Sequence, residues 1–260
     1  MNETSLKKTL SKINLGGLRY FDSIGSTNDE ALAWAASNAK DLSIVIADEQ
    51  TRGRGRLHRT WHTPKGSALA VSLILRPDKS TSPHLSRTVG LAALAIFDSL
   101  FNMGLAPKIK WPNDILLNGK KTAGILVESV WSGSEVDSLV IGMGINVYKT
   151  STPPVDSLKF PATSIEDELD KQPPAREEIL REILLALISW SEKIISNKMI
   201  KTWEERLAFR GQQVQILSGA EKTAAGTLDG LELDGSLRLQ DEHGKPIIVR
   251  FGDVSLRPAA

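Results

Sequence analysis

The chain has 260 residues, 41% hydrophobic and 24% charged, the balance of a globular protein with one large domain or a large and a small one. Its 32 lysines and arginines against 31 aspartates and glutamates leave a net charge of +1, so any attraction for phosphate must be local rather than global. With no cysteine, a disulfide scaffold, a thiol nucleophile and a thiolate metal site are excluded; His58, His62, His84 and His243 stand in no metal-ligand spacing, and without a signal core or a membrane-length apolar run a cytoplasmic location is expected.

Residues 1–14 read as a short helix or arm and 18–23 as a strand. Thr27 and Glu30 have capping-box spacing, which predicts a helix start, with Leu32, Ala35, Ala36 and Ala39 following at helical intervals. A buried strand is predicted over 43–47, a loop over 50–66, and a strand over 69–75 from the alternation of Leu69, Val71, Leu73 and Leu75. Leu85, Val89, Ala92, Ile96 and Leu100 mark a long buried helix. Asn118-Gly119, between apolar runs at 115–117 and 122–130, is a strong hairpin signal, and 136–147 reads as a further strand. Residues 149–175 read mostly as loop. Ile179, Ile183, Leu184, Leu187, Ile188 and Ile194 predict a second long helix, with a short third over 201–208. From Gly211 the pattern becomes short strands at 214–217, 226–228, 236–239, 247–251 and 254–256. The expected organisation is a larger α+β domain over 1–210 and a small β-barrel over 211–260.

Four segments carry chemistry. QTRGRGRLHRTW at 50–61 sets four arginines among glycines and ends on Trp61. Glycine lets backbone N–H groups approach a ligand, the guanidinium fork binds phosphate or carboxylate, and an indole offers a face to a nucleobase. It reads either as a loop closing over a nucleotide or as a solvated or RNA-binding basic loop. In KWPND at 110–114, proline fixes the backbone beside Asn113 and Asp114, which can orient a ligand oxygen or hold Mg²⁺, or simply form a turn. In GKKTAGILVE, Lys121 leaves the hairpin turn beside Ala123 and Gly124, whose small size leaves room for a ligand. GMGIN at 142–146 lies on a strand, so it is no dinucleotide fingerprint; it marks a ligand lying on the sheet or a β-bulge.

In this order, Ser26-Thr27-Asn28, QTRGRGRLHRTW, KWPND, GKKTAGILVE and GMGIN resemble the biotin–protein ligase family from about residue 20 to 147. GTLDGLELDGSLRL and GDVSLRP are similar to that family's small SH3-like C-terminal domain. The resemblance implies a mixed sheet with helices, like class II aminoacyl-tRNA synthetases, and adenylation of biotin by ATP with Mg²⁺. Ser26, Thr27 and Gln50 would hold the ureido ring. Gly53, Gly142, Asn28, Arg54 and Gly124 would complete the biotin side. Arg56 and Arg59 would belong to a loop closing on the intermediate, and Trp61 would cover adenine. Asn113, Asp114, Asn146 and Arg257 would lie on the nucleotide side. Asp114 would sit by Mg²⁺ and is a candidate proton acceptor, while Lys121 would touch both the biotin carboxylate and the α-phosphate, supplying positive charge with Arg56.

The implied partner is a biotin carboxyl-carrier domain of a carboxylase; an exposed sheet edge can also pair two subunits. The resemblance begins near residue 20, so the winged-helix DNA-binding domain of some family members, and a DNA-binding role, are not expected. His58 stands where the family loop usually has glycine, which should restrict that loop. Competing readings are a lipoate–protein ligase, a nucleic-acid-binding protein using the arginine loop, and a non-catalytic biotin-binding module.

Overall fold

A computed structural model describes residues 1–57, 59–154, 160–218, 221–250 and 255–258. His58, and parts of the strands expected at 247–251 and 254–256, fall outside these residues. In chain order the elements are α1 Glu3–Thr9, β1 Gly17–Phe21, α2 Thr27–Ala36, β2 Ser43–Ala47, β3 Ala68–Leu75, α3 Thr88–Asn102, β4 Pro107–Lys110, β5 Asp114–Leu117, β6 Lys120–Ser132 and β7 Glu135–Asn146. They continue as α4 Ile165–Glu168, α5 Arg176–Ser191, α6 Asn197–Glu205, β8 Gln213–Ser218, β9 Glu221–Leu231, β10 Leu237–Gln240, β11 Pro246–Val249 and β12 Ser255–Pro258.

The first seven strands form one mixed sheet in the order β1-β2-β3-β7-β6-β5-β4, with β1 and β2 parallel and the remaining pairs antiparallel. Its core face is built from alternate residues, Leu69, Val71 and Leu73 on β3 and Ile141, Met143 and Ile145 on β7, all at most 2% exposed and packed with α3 and α5. Ala31 and Ala35 of α2 cover the opposite face near Val45, Ile74 and Val140. Because α2 is short, it covers only one end of that face. The other end, over β5, β6 and β7, is left to loops, and the cavity lies there.

Several expectations are corrected. Thr27 does not cap a helix; it is the first helical residue, after an Ser26 N-cap whose side chain makes no capping bond. Its hydroxyl is instead 3.1 Å from Gln50 Oε1, and Glu30 pairs with Arg19. Leu85 lies in a 3₁₀ turn, Ser82–Arg87, and the α-helix proper begins at Thr88. The strands β4 and the short helix α4 were not expected. The Asn118-Gly119 hairpin is present, both residues having positive φ (47° and 75°), as a tight primed turn requires.

The last five strands form a second sheet in the order β11-β10-β9-β8-β12. Its β9–β10 turn is fastened to the first unit: buried Arg87 donates to Leu233 O at 2.8 Å and to Ile194 O at 2.9 Å, and Trp111 Nε1 donates to Gly235 O at 3.0 Å. Among the described residues, no helix is long and apolar enough to cross a membrane.

Candidate active site

A cavity of about 180 Å³ opens on the uncovered face of the large sheet. Its floor comes from β6 and β7, its walls from the head of α2 and the β4–β5 turn, and its roof from the arginine loop. Ser26, Thr27, Asn28, Gln50, Arg54, Arg56, Arg59, Trp61, Asn113, Asp114, Lys121, Gly124, Gly142 and Asn146 all line it. Gly53 does not; it lies in a neighbouring recess under the same loop, and an added Cβ there would stand 2.4 Å from Trp61 O. Arg257 approaches from β12, its guanidinium 5.4 Å from the Phe160 ring centre.

A β-bulge places Lys121. Between β5 and β6 the register runs Leu116↔Lys121 and then Ile115↔Ala123, so Thr122 has no opposite partner. Strict alternation would turn Lys121 away from Gly124, three residues on. The bulge returns it to the same face, where a Cβ added to Gly124 would lie 3.1 Å from Lys121 Nζ. The small size of Gly124 thus serves Lys121 and the Trp61 ring, 3.0 Å from that same Cβ. Trp61 also lies against Gly144, where a Cβ would be 2.3 Å from the indole. The indole N–H is buried and has no hydrogen-bond partner among the described residues. Gly142 has another use: a Cβ there would stand 2.1 Å from Asn28 Oδ1.

Asp114 is the electrostatic centre. Lys121 Nζ is 2.6 Å from Oδ1 and Lys110 Nζ is 3.0 Å from Oδ2. Lys110 and Asp114 face each other across the β4–β5 pair, the arrangement that favours opposite charges. Burial opposes the charge on Asp114, but Lys121 and Lys110 more than offset it and hold the carboxyl far below its usual range. Burial, together with repulsion from Arg257 and Lys121, lowers the Lys110 ammonium despite Asp114. Arg257 is lowered by burial and by repulsion from Arg59.

Asp114, expected beside Mg²⁺ and as a proton acceptor, is held between two ammonium groups, which bears on both roles. A carboxylate already shared by two ammonium groups is a poor Mg²⁺ ligand, because an added cation would sit against both. Among the described residues, no three of His, Cys, Asp and Glu are gathered for a metal. A carboxylate held that far down is also a weak base, unsuited to taking a proton from an amine.

The residues expected on the ureido side are tied to one another. Gln50 Oε1 accepts from Thr27 N at 2.8 Å, and Gln50 Nε2 donates to Thr63 Oγ1 at 3.2 Å. Asn113 exchanges bonds with Ile125, its Nδ2 donating to Ile125 O, and its Oδ1 accepts from Arg56 Nη1 at 3.2 Å. Asn146 Nδ2 donates to Thr163 O. Sequence reasoning gave no role to Lys110, although it opens KWPND, and missed Phe160, whose ring receives Lys110 at 4.6 Å as well as Arg257. No periodicity marks a single aromatic in a loop.

Of the charged groups lining the cavity, Arg54 is paired with Glu128 and Asp29 outside it, Arg56, Arg59, Lys110 and Lys121 are positive as well, and Asp114 alone, among the described residues, is negative. That imbalance in a partly buried site calls for an anionic ligand. The neighbouring apolar floor and the unpartnered indole N–H call for one with a ring system.

The family model of the biotin/lipoate A/B protein ligase family matches residues 20–146. A biotin–[acetyl-CoA-carboxylase] ligase of Paracoccus denitrificans is 33% identical over 230 residues, covering 86% of this chain and 94% of that protein. A bifunctional ligase/repressor BirA of Bacillus spizizenii is 43% identical over 169 residues, covering 65% of this chain and 51% of that protein, so the chain spans about half the length of this relative. In three dimensions, the biotin protein ligase of Aquifex aeolicus, solved in complex with biotin and ATP, superposes with a TM-score of 0.80 at 28% identity, over 94% of this chain and 99% of that one.

Proposed function

The chain belongs to the biotin–protein ligase family, and from that premise we propose that it activates biotin with MgATP as biotinyl-5'-AMP and transfers the biotinyl group to a lysine of a carboxylase's biotin carboxyl-carrier domain. The observation that carries this reading is the surplus of positive charge around Asp114, at the junction of an apolar, glycine-floored pocket and an arginine loop.

The biotin carboxylate attacks the α-phosphorus of ATP, and the bond from that phosphorus to the pyrophosphate oxygen breaks. Two anions must meet, so the site supplies fixed positive charge where charge builds up. Lys121 bridges the carboxylate and the α-phosphate, and Lys110, set beside it by Asp114, reinforces the field. Arg56, Arg59 and Arg257 face the leaving phosphates, and Trp61 covers the adenine. Asn113 and Asn146 support the nucleotide side. Ser26, Thr27 and Gln50 hold the ureido end, with Gly142 giving room, while Gly53 lets the arginine loop pack against Trp61 O. Loop closure excludes water from the mixed anhydride. An acceptor amine then attacks the acyl carbon, AMP departs, and the amine's proton passes to solvent.

In the same reading, residues 1–210 form the catalytic unit and 211–260 an SH3-like unit that contributes Arg257. The protein works in the cytoplasm without DNA as a partner, and an open sheet edge serves for pairing two subunits. Incubation with biotin, MgATP and a purified biotin carboxyl-carrier domain tests this: the acceptor should gain the mass of one biotinyl group. An unmodified acceptor, with the protein folded, would overturn it.

A further inference from the structure

Glu128 lies on β6 beyond the residues assigned to substrate, yet its carboxylate ties two elements together. Arg54 Nη1 donates to Oε1 at 3.0 Å and Arg54 Nη2 to Oε2 at 2.8 Å, a bidentate pair. Asn28 Nδ2, from the head of α2, donates to Oε2 at 2.8 Å. Arg54 Nη2 also meets Asp29 at 2.7 Å, so this guanidinium is neutralised by two protein carboxylates. Asn28 continues the chain: its Oδ1 is 2.6 Å from Ser72 Oγ, which is 2.8 Å from Thr27 Oγ1, and Thr27 holds Gln50. An unbroken polar path therefore runs from the arginine loop, through Glu128, to the ureido end of the cavity. Asn28 is only 4% exposed and tolerates no Cβ on Gly142, so the path has little freedom to rearrange.

We propose that Glu128 is a positioning residue that makes the arginine loop and the biotin end of the cavity move as one, with Arg54 acting as its latch rather than as a biotin ligand. This rests on the biotin–adenylate reading above. Its consequence is retention: with the latch made, filling the biotin end holds the loop shut over the adenylate, and with the latch broken water reaches the anhydride.

The test compares Glu128→Gln, Arg54→Ala and the double variant. Glutamine keeps the shape of Glu128 but presents an N–H₂ group to one of its two donors. Three quantities are read: the KM for biotin and kcat in pyrophosphate exchange, and the AMP formed per acceptor biotinylated. Each single variant should raise KM for biotin by up to about tenfold and raise the AMP ratio several-fold, with little loss of kcat. The double variant should be no worse than the worse single one, because both break the same latch. Arg54 is exposed enough that its variant keeps the protein folded whatever Glu128→Gln does. An unchanged AMP ratio in both singles, even with a lowered Tm, or additive effects in the double, would overturn the proposal. Absence of biotin-dependent exchange in the unmodified protein would instead overturn the ligase reading on which it rests.

Discussion

Lys121 Nζ stands 2.6 Å from Asp114 Oδ1 while Lys110 Nζ stands 3.0 Å from Asp114 Oδ2, so one buried carboxylate spaces two ammonium groups along the cavity wall. Lys121 is the more accessible of the two, with about a quarter of its side chain exposed against 4% for Lys110. Replacing Lys121 with methionine keeps the stem and removes the charge. Adenylate formation should fall by a factor of about 10² to 10³, the usual loss when one preorganised charge is removed from a developing anion. Circular dichroism should be unchanged, since Asp114 keeps Lys110. Near-normal exchange by Lys121→Met would remove this residue from the reaction.

Asp114 makes acid stability readable. Its folded pKa lies below the unfolded value of about 3.9, so its contribution is complete above about pH 5 and is lost as pH falls through and below that value. Asp114→Asn leaves two ammonium groups with no carboxylate, and at pH 7 should cost about 3 kcal/mol. Urea unfolding of both proteins at pH 7 and pH 3 checks the sign: the gap should narrow at pH 3. A constant gap would mean the ion pairs do not carry the difference.

Gly142 and Gly144, two apart on β7, should respond differently to alanine. At Gly142 the new methyl meets Asn28 Oδ1 at 2.1 Å, inside a buried network, so about 1–3 kcal/mol of stability should be lost. At Gly144 it meets the Trp61 indole at 2.3 Å, and Trp61 is only partly buried at the cavity. That side chain can move, so Tm should shift little while ATP affinity falls. Thermal unfolding and titration calorimetry on both variants separate the two effects.

Arg87 is a second place where packing and function meet. Its bond to Leu233 O, beside the Trp111–Gly235 bond, holds the β9–β10 turn, while its bond to Ile194 O ties the same guanidinium to the chain just past the end of α5, and together they set where the sheet carrying Arg257 docks. Arg87→Met should destabilise by about 3 kcal/mol, since each lost bond is to a charged donor. Amide exchange should accelerate first in 228–239. Protection unchanged there would mean that other contacts hold the sheet.

Much of this was legible in the residues. Alternation at 69–75, the Asn118-Gly119 turn and the helical spacing of Ile179 to Leu187 are local signals, and each became the expected element. The cavity was legible because glycine, arginine and aspartate were grouped in short motifs. Less legible were effects of register and burial. The bulge at Thr122 that turns Lys121 inward depends on how β5 pairs, which no periodicity in β6 records. The setting of Asp114 was not legible because it comes from Lys110 across the strand pair and Lys121 from the next strand. Thr27 and Glu30 had capping spacing but found stronger partners in Gln50 and Arg19. Glu128 lay inside a recognised motif, yet its meaning comes from Arg54 and Asn28, far away in sequence.

The most direct measurement is biotin-dependent exchange of labelled pyrophosphate into ATP, with lipoate and no acid run in parallel. Exchange is expected with biotin, none without acid and little with lipoate. Exchange with lipoate alone would move the chain to the lipoate branch of its family. No exchange with either acid, from folded protein that still binds biotin, would mean that the chain does not form biotinyl-5'-AMP.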